Sequence, residues 1–201
     1  MKIKKRSWFS GLTDIFFRPK YFFSRIVADG KMEDAIIKAF FWGLVGGIVV
    51  LIMHLVRGGG DDFTVFSMFK AIVICPIVAV VLLFVFAGLM MLVSEISMGD
   101  RDWEIAVKGI ASIFFVYPLA LILNSLAFDQ NSILIISAIT DLYLLFLLYY
   151  IAVYCLHGKK VSVMFVLMVG GVLLAAVYMS PDLRSVWLSI KNAKAMSICA
   201  A

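Results

Sequence analysis

The sequence predicts an all-α, polytopic membrane protein: a bundle of five transmembrane helices preceded by N-terminal interfacial amphipathic helices. Three observations predict it. Of 201 residues, 64% are hydrophobic and 15% charged, whereas a soluble domain averages about 45–50% apolar and about 25% charged. The mean hydropathy is +1.06, far too apolar for water to be the only solvent of a chain this size. Five apolar runs approach the roughly 20 residues needed to cross about 30 Å of hydrocarbon. No run alternates with period two over ten residues, so a β-barrel is not indicated.

Residues 1–34 are too interrupted to span and too aromatic for a disordered arm. Trp8, Phe9, Leu12, Ile15 and Phe16 recur at helical spacing behind Lys4, Lys5 and Arg6. Pro19 ends that piece and suits the first turn of a second short helix over Lys20–Ala28. Apolar bodies with basic flanks describe helices lying in the interface plane. The candidate surface for membrane sensing or partner docking is Trp8, Phe9, Phe16, Arg18, Pro19, Lys20, Phe22, Phe23 and Arg25. The plainer role for the same residues is an anchor that orients the bundle. Glu33 and Asp34 favour the start of the next helix through its dipole.

Residues 35–180 hold the expected spans, at about 35–56, 71–94, 109–128, 132–156 and 161–179. The run beginning near Ala39 is long enough to remain as an anchor, and no cleavable signal peptide is expected. The connections are short, except for a polar link from Glu95 to Lys108 with Trp103 placed for the headgroup level. Nine of the 18 Lys and Arg residues precede the first long apolar run. With the N-terminus inside, the inner segments carry 13 basic residues and the outer ones five, which predicts N-in and C-out. The net charge of +5 is thus read as topology and attraction to anionic headgroups, with no nucleic-acid partner. Residues 181–201 form a C-terminal tail, with Leu183, Val186, Trp187 and Ile190 on one candidate face.

Inside the membrane, Asp141 is the most informative residue. A carboxylate at that depth costs several kcal/mol unless it is protonated, paired or open to water. If the third and fourth spans form an antiparallel hairpin, Asp141 lies beside Tyr117 and Pro118, and Asn124 lies near Ser137. Pro118 frees the carbonyl of Phe114, for which a neighbour must supply a donor; Asp141 and the Tyr117 hydroxyl are the candidates. This polar seam of Tyr117, Pro118, Asn124, Ser137 and Asp141 is either interhelical glue or a proton- or substrate-responsive site. Ala35, Ala39, Gly43 and Gly47 make a small-residue stripe at four-residue spacing, suited to close helix packing, and Gly170-Gly171 allows a similar approach.

No catalytic constellation is recognisable. There is no nucleotide-binding loop, GxSxG elbow or HExxH, and His54 has no companion at metal-ligand spacing. Cys75, Cys155 and Cys199 form no CxxC pair and read as small apolar residues. The expectation is no enzyme, no cofactor and no metal.

Three stretches resemble the Yip1-domain family in its shorter prokaryotic form. They are Asp14-Ile-Phe-Phe-Arg-Pro-Lys-Tyr-Phe-Phe23, Phe115-Val-Tyr-Pro-Leu-Ala-Leu121, and Leu142-Tyr-Leu-Leu-Phe-Leu-Leu-Tyr-Tyr150 before a short basic loop. One departure is plain: Ile113 and Phe114 stand where members often carry Gly-Tyr. The resemblance implies a five-span, non-enzymatic protein, placed in the bacterial inner membrane, that scaffolds or organises membrane components in a trafficking or homeostasis-type role. The rivals are a small transporter, channel or lipid-handling protein using the polar seam, and an accessory subunit of a larger membrane transport complex. The expected partners are anionic lipid headgroups and either another membrane protein or a second copy of the chain.

Overall fold

In the computed structural model, which describes residues 8–26, 31–56, 68–125 and 130–180, all regular elements among the described residues are helical. Five stretches are long and apolar enough to cross a membrane: Met32–Met53, Ala71–Ile96, Trp103–Ser125, Ser132–Cys155 and Lys160–Met179. The protein is a multi-pass helical membrane protein with two short helices at its N-terminus. The expectations for Lys4 to Arg6, for the glycine-rich turn after Arg57 and for the tail lie outside the described residues. So do those for the side chains of Trp8, Phe9 and His54.

Helices α1 (Trp8–Phe17) and α2 (Pro19–Ile26) meet at Arg18. The residue before a proline avoids helical geometry, and Pro19 at the first position of α2 gives up an N–H that would have no acceptor anyway. Helix α3 (Met32–Val56) opens with the Lys31 N–H donating to Asp34 Oδ2 at 3.1 Å. Helix α4 (Cys75–Ile96) follows a π-helical turn, Lys70–Ile74. Pro76 lacks an N–H and its ring crowds the carbonyl one turn back, which the wider turn accommodates.

The third span is broken. Helix α5 (Trp103–Ile113) and helix α6 (Val116–Ser125) are separated by a turn at Phe114 and Phe115. The sequence placed the start of this span at residue 109, but an earlier cap decides it: Asp102 Oδ1 accepts from the Ile105 N–H at 3.1 Å. The Glu104–Lys108 ion pair, at 2.7 Å, lies along these first turns. Helix α7 (Gln130–Tyr150) runs on into a second π-helical turn, Ile151–Cys155, and helix α8 (Lys160–Met179) follows.

The core lies around α5. Ala106, Val107, Ile110 and Ala111 are at most 1% exposed, and α3, α4 and α2 all pack against this helix. Helix α8 is peripheral, with Val163 its one buried residue. Its remaining apolar surface is what a lipid-facing helix presents.

Small residues bring α3 against α4. A Cβ on Gly43 would fall 2.6 Å from Ala79 Cβ, and one on Gly47 only 2.1 Å from the carbonyl oxygen of Ala71. Ala35 and Ala39 are buried on the same helix. Gly170 has nothing within 4 Å and Gly171 meets only Leu145, at 3.9 Å. The close approach expected at that pair is therefore not made, because α8 sits at the rim of the bundle.

At one end of the bundle the α4–α5 and α7–α8 loops are clasped together. The Asp100 N–H donates to Leu156 O at 2.6 Å and the Lys159 N–H to Ser97 O at 2.9 Å. Met98 and His157 each adopt left-handed backbone, with φ of 53°, and each is followed by a glycine packed into the other loop. A Cβ on Gly99 would meet Leu156 O at 2.5 Å, and one on Gly158 would lie 3.3 Å from Ser97 Cβ. His157 Nδ1 lies 2.8 Å from Asp100 Oδ2, and Lys159 Nζ reaches Met98 Sδ at 3.0 Å.

Candidate functional site, an aromatic basic cap and a polar seam

Helices α1 and α2 close the clasped end of the bundle. Phe23 is fully buried and Ile15 nearly so. The backbone carbonyl of Phe23 accepts from the Cys155 thiol at 3.3 Å, and the Phe23 ring lies 6.4 Å from that of Tyr150. Phe16 stacks on Tyr143 at 5.6 Å and meets Phe115 edge-on at 5.3 Å. Tyr143 and Phe115 are each twelve residues from the clasped ends of their spans, Cys155 and Trp103, or about 18 Å of helix. The cap therefore does more than lie flat in the interface plane: the half-exposed Phe16 ring rests against the turn at Phe115 and against α7.

The cations stay on the outside. Arg18, Lys20 and Arg25 are exposed. Arg25 covers the Tyr21 ring at 4.5 Å and Lys20 lies 5.8 Å from the centre of the Tyr154 ring, both within cation–π range. Residues 17–21, Ser24 and Tyr150 line an open hollow of about 420 Å³. Phe22 is half-buried beside Phe23, and Pro19 sets the angle between the two helices.

The polar seam is arranged differently from the hairpin expectation. Asp141 Oδ2 accepts from the Tyr178 hydroxyl at 2.7 Å, so this carboxyl has a partner on α8. The carbonyl of Phe114, freed by Pro118, takes the backbone N–H of Tyr117 at 3.2 Å. A tight turn satisfies it locally, which is why neither Asp141 nor the Tyr117 hydroxyl is required there. Tyr117 turns towards α3 instead: a Cβ on Gly46 would lie 3.0 Å from its ring. Pro118 and Ser137 are buried. Asn124 Oδ1, Ser137 Oγ and Tyr143 Oη are buried without a hydrogen-bond partner, on helices α6 and α7, which pack together.

The structure thus brings Phe16, Phe23, Tyr143 and Phe115 into one aromatic cluster. It separates Tyr117 from Asp141. The loop clasp was not foreseen, although Met98-Gly99 and His157-Gly158, each at a helix end, carry the helix-stop signal of a glycine after the last turn. Cys155 is free and buried. Among the described residues no three His, Cys, Asp or Glu side chains converge. No family model, no curated protein and no solved structure matches the chain.

Proposed function

We propose that this is a non-enzymatic organiser of membrane components, of the kind the Yip1-domain resemblance implies, acting from the inner face of a bacterial cytoplasmic membrane. In this reading the N-terminus and the loop clasp are inside and residue 180 is outside. The observation that carries it is the docking of α1 and α2 as part of the bundle, with Ile15 and Phe23 buried and the Phe16 ring against Phe115 and Tyr143. An anchor that only oriented the helices needs no such fixed geometry. A fixed cap holds exposed Arg18, Lys20 and Arg25 in one constant arrangement, which suits the recognition of lipid headgroups or of a partner at the surface.

The test is the composition of the native surroundings. Membrane patches excised around the protein with an amphipathic polymer should differ from bulk membrane in at least one lipid class or in one stoichiometric protein. Patches indistinguishable from bulk would overturn the reading.

A second reading, a small transporter, is favoured by the three unpartnered polar atoms of Asn124, Ser137 and Tyr143. Buried polar groups without partners are costly and mark sites that await a ligand or water. Under the organiser reading, Ser137→Ala stabilises the protein by about 1 kcal/mol, since it removes an unsatisfied hydroxyl. Solute flux in sealed vesicles that Ser137→Ala abolishes would select the transporter instead.

A further inference from the structure

We infer that the hollow beside α2 is a binding site for the phosphate of an anionic phospholipid, held by Arg18 and Lys20 with an acyl chain against Phe17. The inference rests on the orientation proposed above and gives the organiser a specific ligand.

Charge comes first. Two cations line one hollow of about 420 Å³, and among the described residues neither Arg18 nor Lys20 forms an ion pair with a carboxylate. Lys20 has only the face of Tyr154, at 5.8 Å. Arg18 offers a planar fork of donors that matches phosphate oxygens, and Lys20 a point charge. Together they attract an anionic phosphodiester and disfavour a headgroup that carries its own cation.

Depth comes second. Tyr150 forms part of the hollow and is five residues from Cys155, the clasped end of its span, or about 7 Å of helix. That is the level where headgroups give way to acyl chains, about 5–10 Å into the boundary. Tyr150 and Tyr154, stacked at 5.5 Å, form the amphipathic belt found at this level.

The apolar half is the third point. Phe17 is 84% exposed, and it neighbours Phe16, whose ring packs on Phe115 and Tyr143. A soluble anion leaves that ring in water, whereas a lipid covers it. Arg18, Lys20, Tyr21 and Ser24 around the hollow are exposed, so it lies at the surface of the molecule, as a site filled sideways from the bilayer requires.

The experiment uses the full chain in detergent micelles, with phosphatidylglycerol, phosphatidylcholine or glycerol phosphate added, and counts retained lipid by native mass spectrometry. One phosphatidylglycerol should be retained per chain. Arg18→Gln or Lys20→Gln should each lower its retention roughly tenfold or more, the loss of one charge-assisted hydrogen bond. Lys160→Gln, which removes the same charge from the α8 start, should leave retention unchanged. Glycerol phosphate should not compete.

Equal retention in all three variants would overturn the proposal, as would equal binding of phosphatidylcholine. Full competition by glycerol phosphate would reassign the hollow to a soluble anion. Because Arg18 and Lys20 are exposed, the variants should keep the wild-type melting temperature in the absence of lipid. A lowered melting temperature would make these cations structural and would also count against the site. Native patches that differ from bulk only in a protein component would leave the organiser reading standing while this inference fails.

Discussion

The Tyr178 hydroxyl donates to Asp141 Oδ2 at 2.7 Å, tying the C-terminal end of the peripheral helix α8 to α7. Hydrogen bonds between transmembrane helices contribute about 0.6 kcal/mol on average and up to about 1.7. Tyr178→Phe should therefore destabilise the protein by about 1 kcal/mol. Asp141→Asn keeps an acceptor and should cost less. A double-mutant cycle on unfolding in bicelles checks this, and a coupling energy near zero would show that the bond does not hold α8 in place.

Helix α3 and the π-helical turn before α4 are closer than any side chain allows at Gly47. A methyl group there would fall 2.1 Å from the carbonyl oxygen of Ala71, and a backbone oxygen cannot swing aside as a flexible side chain can. Gly47→Ala should cost about 1–3 kcal/mol or more through overpacking. Gly170→Ala, which meets nothing within 4 Å, should lie within about 0.5 kcal/mol of wild type. Melting temperatures of the two variants in one detergent measure the contrast.

Left-handed backbone makes a prediction of opposite sign. Met98 and His157 both have φ of 53°, a conformation that costs an L-residue about 1–2 kcal/mol relative to glycine. Met98→Gly should therefore stabilise the clasp by about 1 kcal/mol, and Met98→Val should weaken it. Hydrogen exchange of the Lys159 amide, which is bonded to Ser97 O, reports the change directly: slower for the glycine, faster for the valine.

The cap holds two of its phenylalanines in opposite surroundings. Phe23 is fully buried while Phe17 is 84% exposed. Phe23→Ala should cost about 3 kcal/mol and free α1 and α2 from the bundle, and Phe17→Ala should leave them docked. Limited proteolysis at Arg25 reads the difference, with rapid cleavage expected only in the Phe23 variant.

Much of the architecture was legible because the solvent dictates it. Apolar runs of span length had to be helices, and Pro19 had to separate α1 from α2. Gly43 and Gly47, lacking side chains on a long helix, stood out as a surface for close approach. What stayed hidden depends on tertiary choice. Hairpin arithmetic put Asp141 beside Tyr117, but α8 folds back along α7 and offers Tyr178 first. The carbonyl freed by Pro118 found a donor three residues on, which no pattern of polarity records. The contact of Phe16 with Phe115 and Tyr143 was unreadable because an aromatic in a basic segment suits the interface as well as a neighbouring helix. The clasp was written only as two Gly-containing helix ends, with nothing to say that they meet.

The measurement that bears most directly on the whole account is the sidedness of single cysteines in a cysteine-free background, probed with a membrane-impermeant reagent in intact and permeabilised cells. Five spans with the N-terminus inside require residues 24, 101 and 159 to react only after permeabilisation, and residue 180 to react in intact cells. Labelling of residues 101 and 180 from the same side would contradict the five-span topology, and with it the placement of the cap at the inner face.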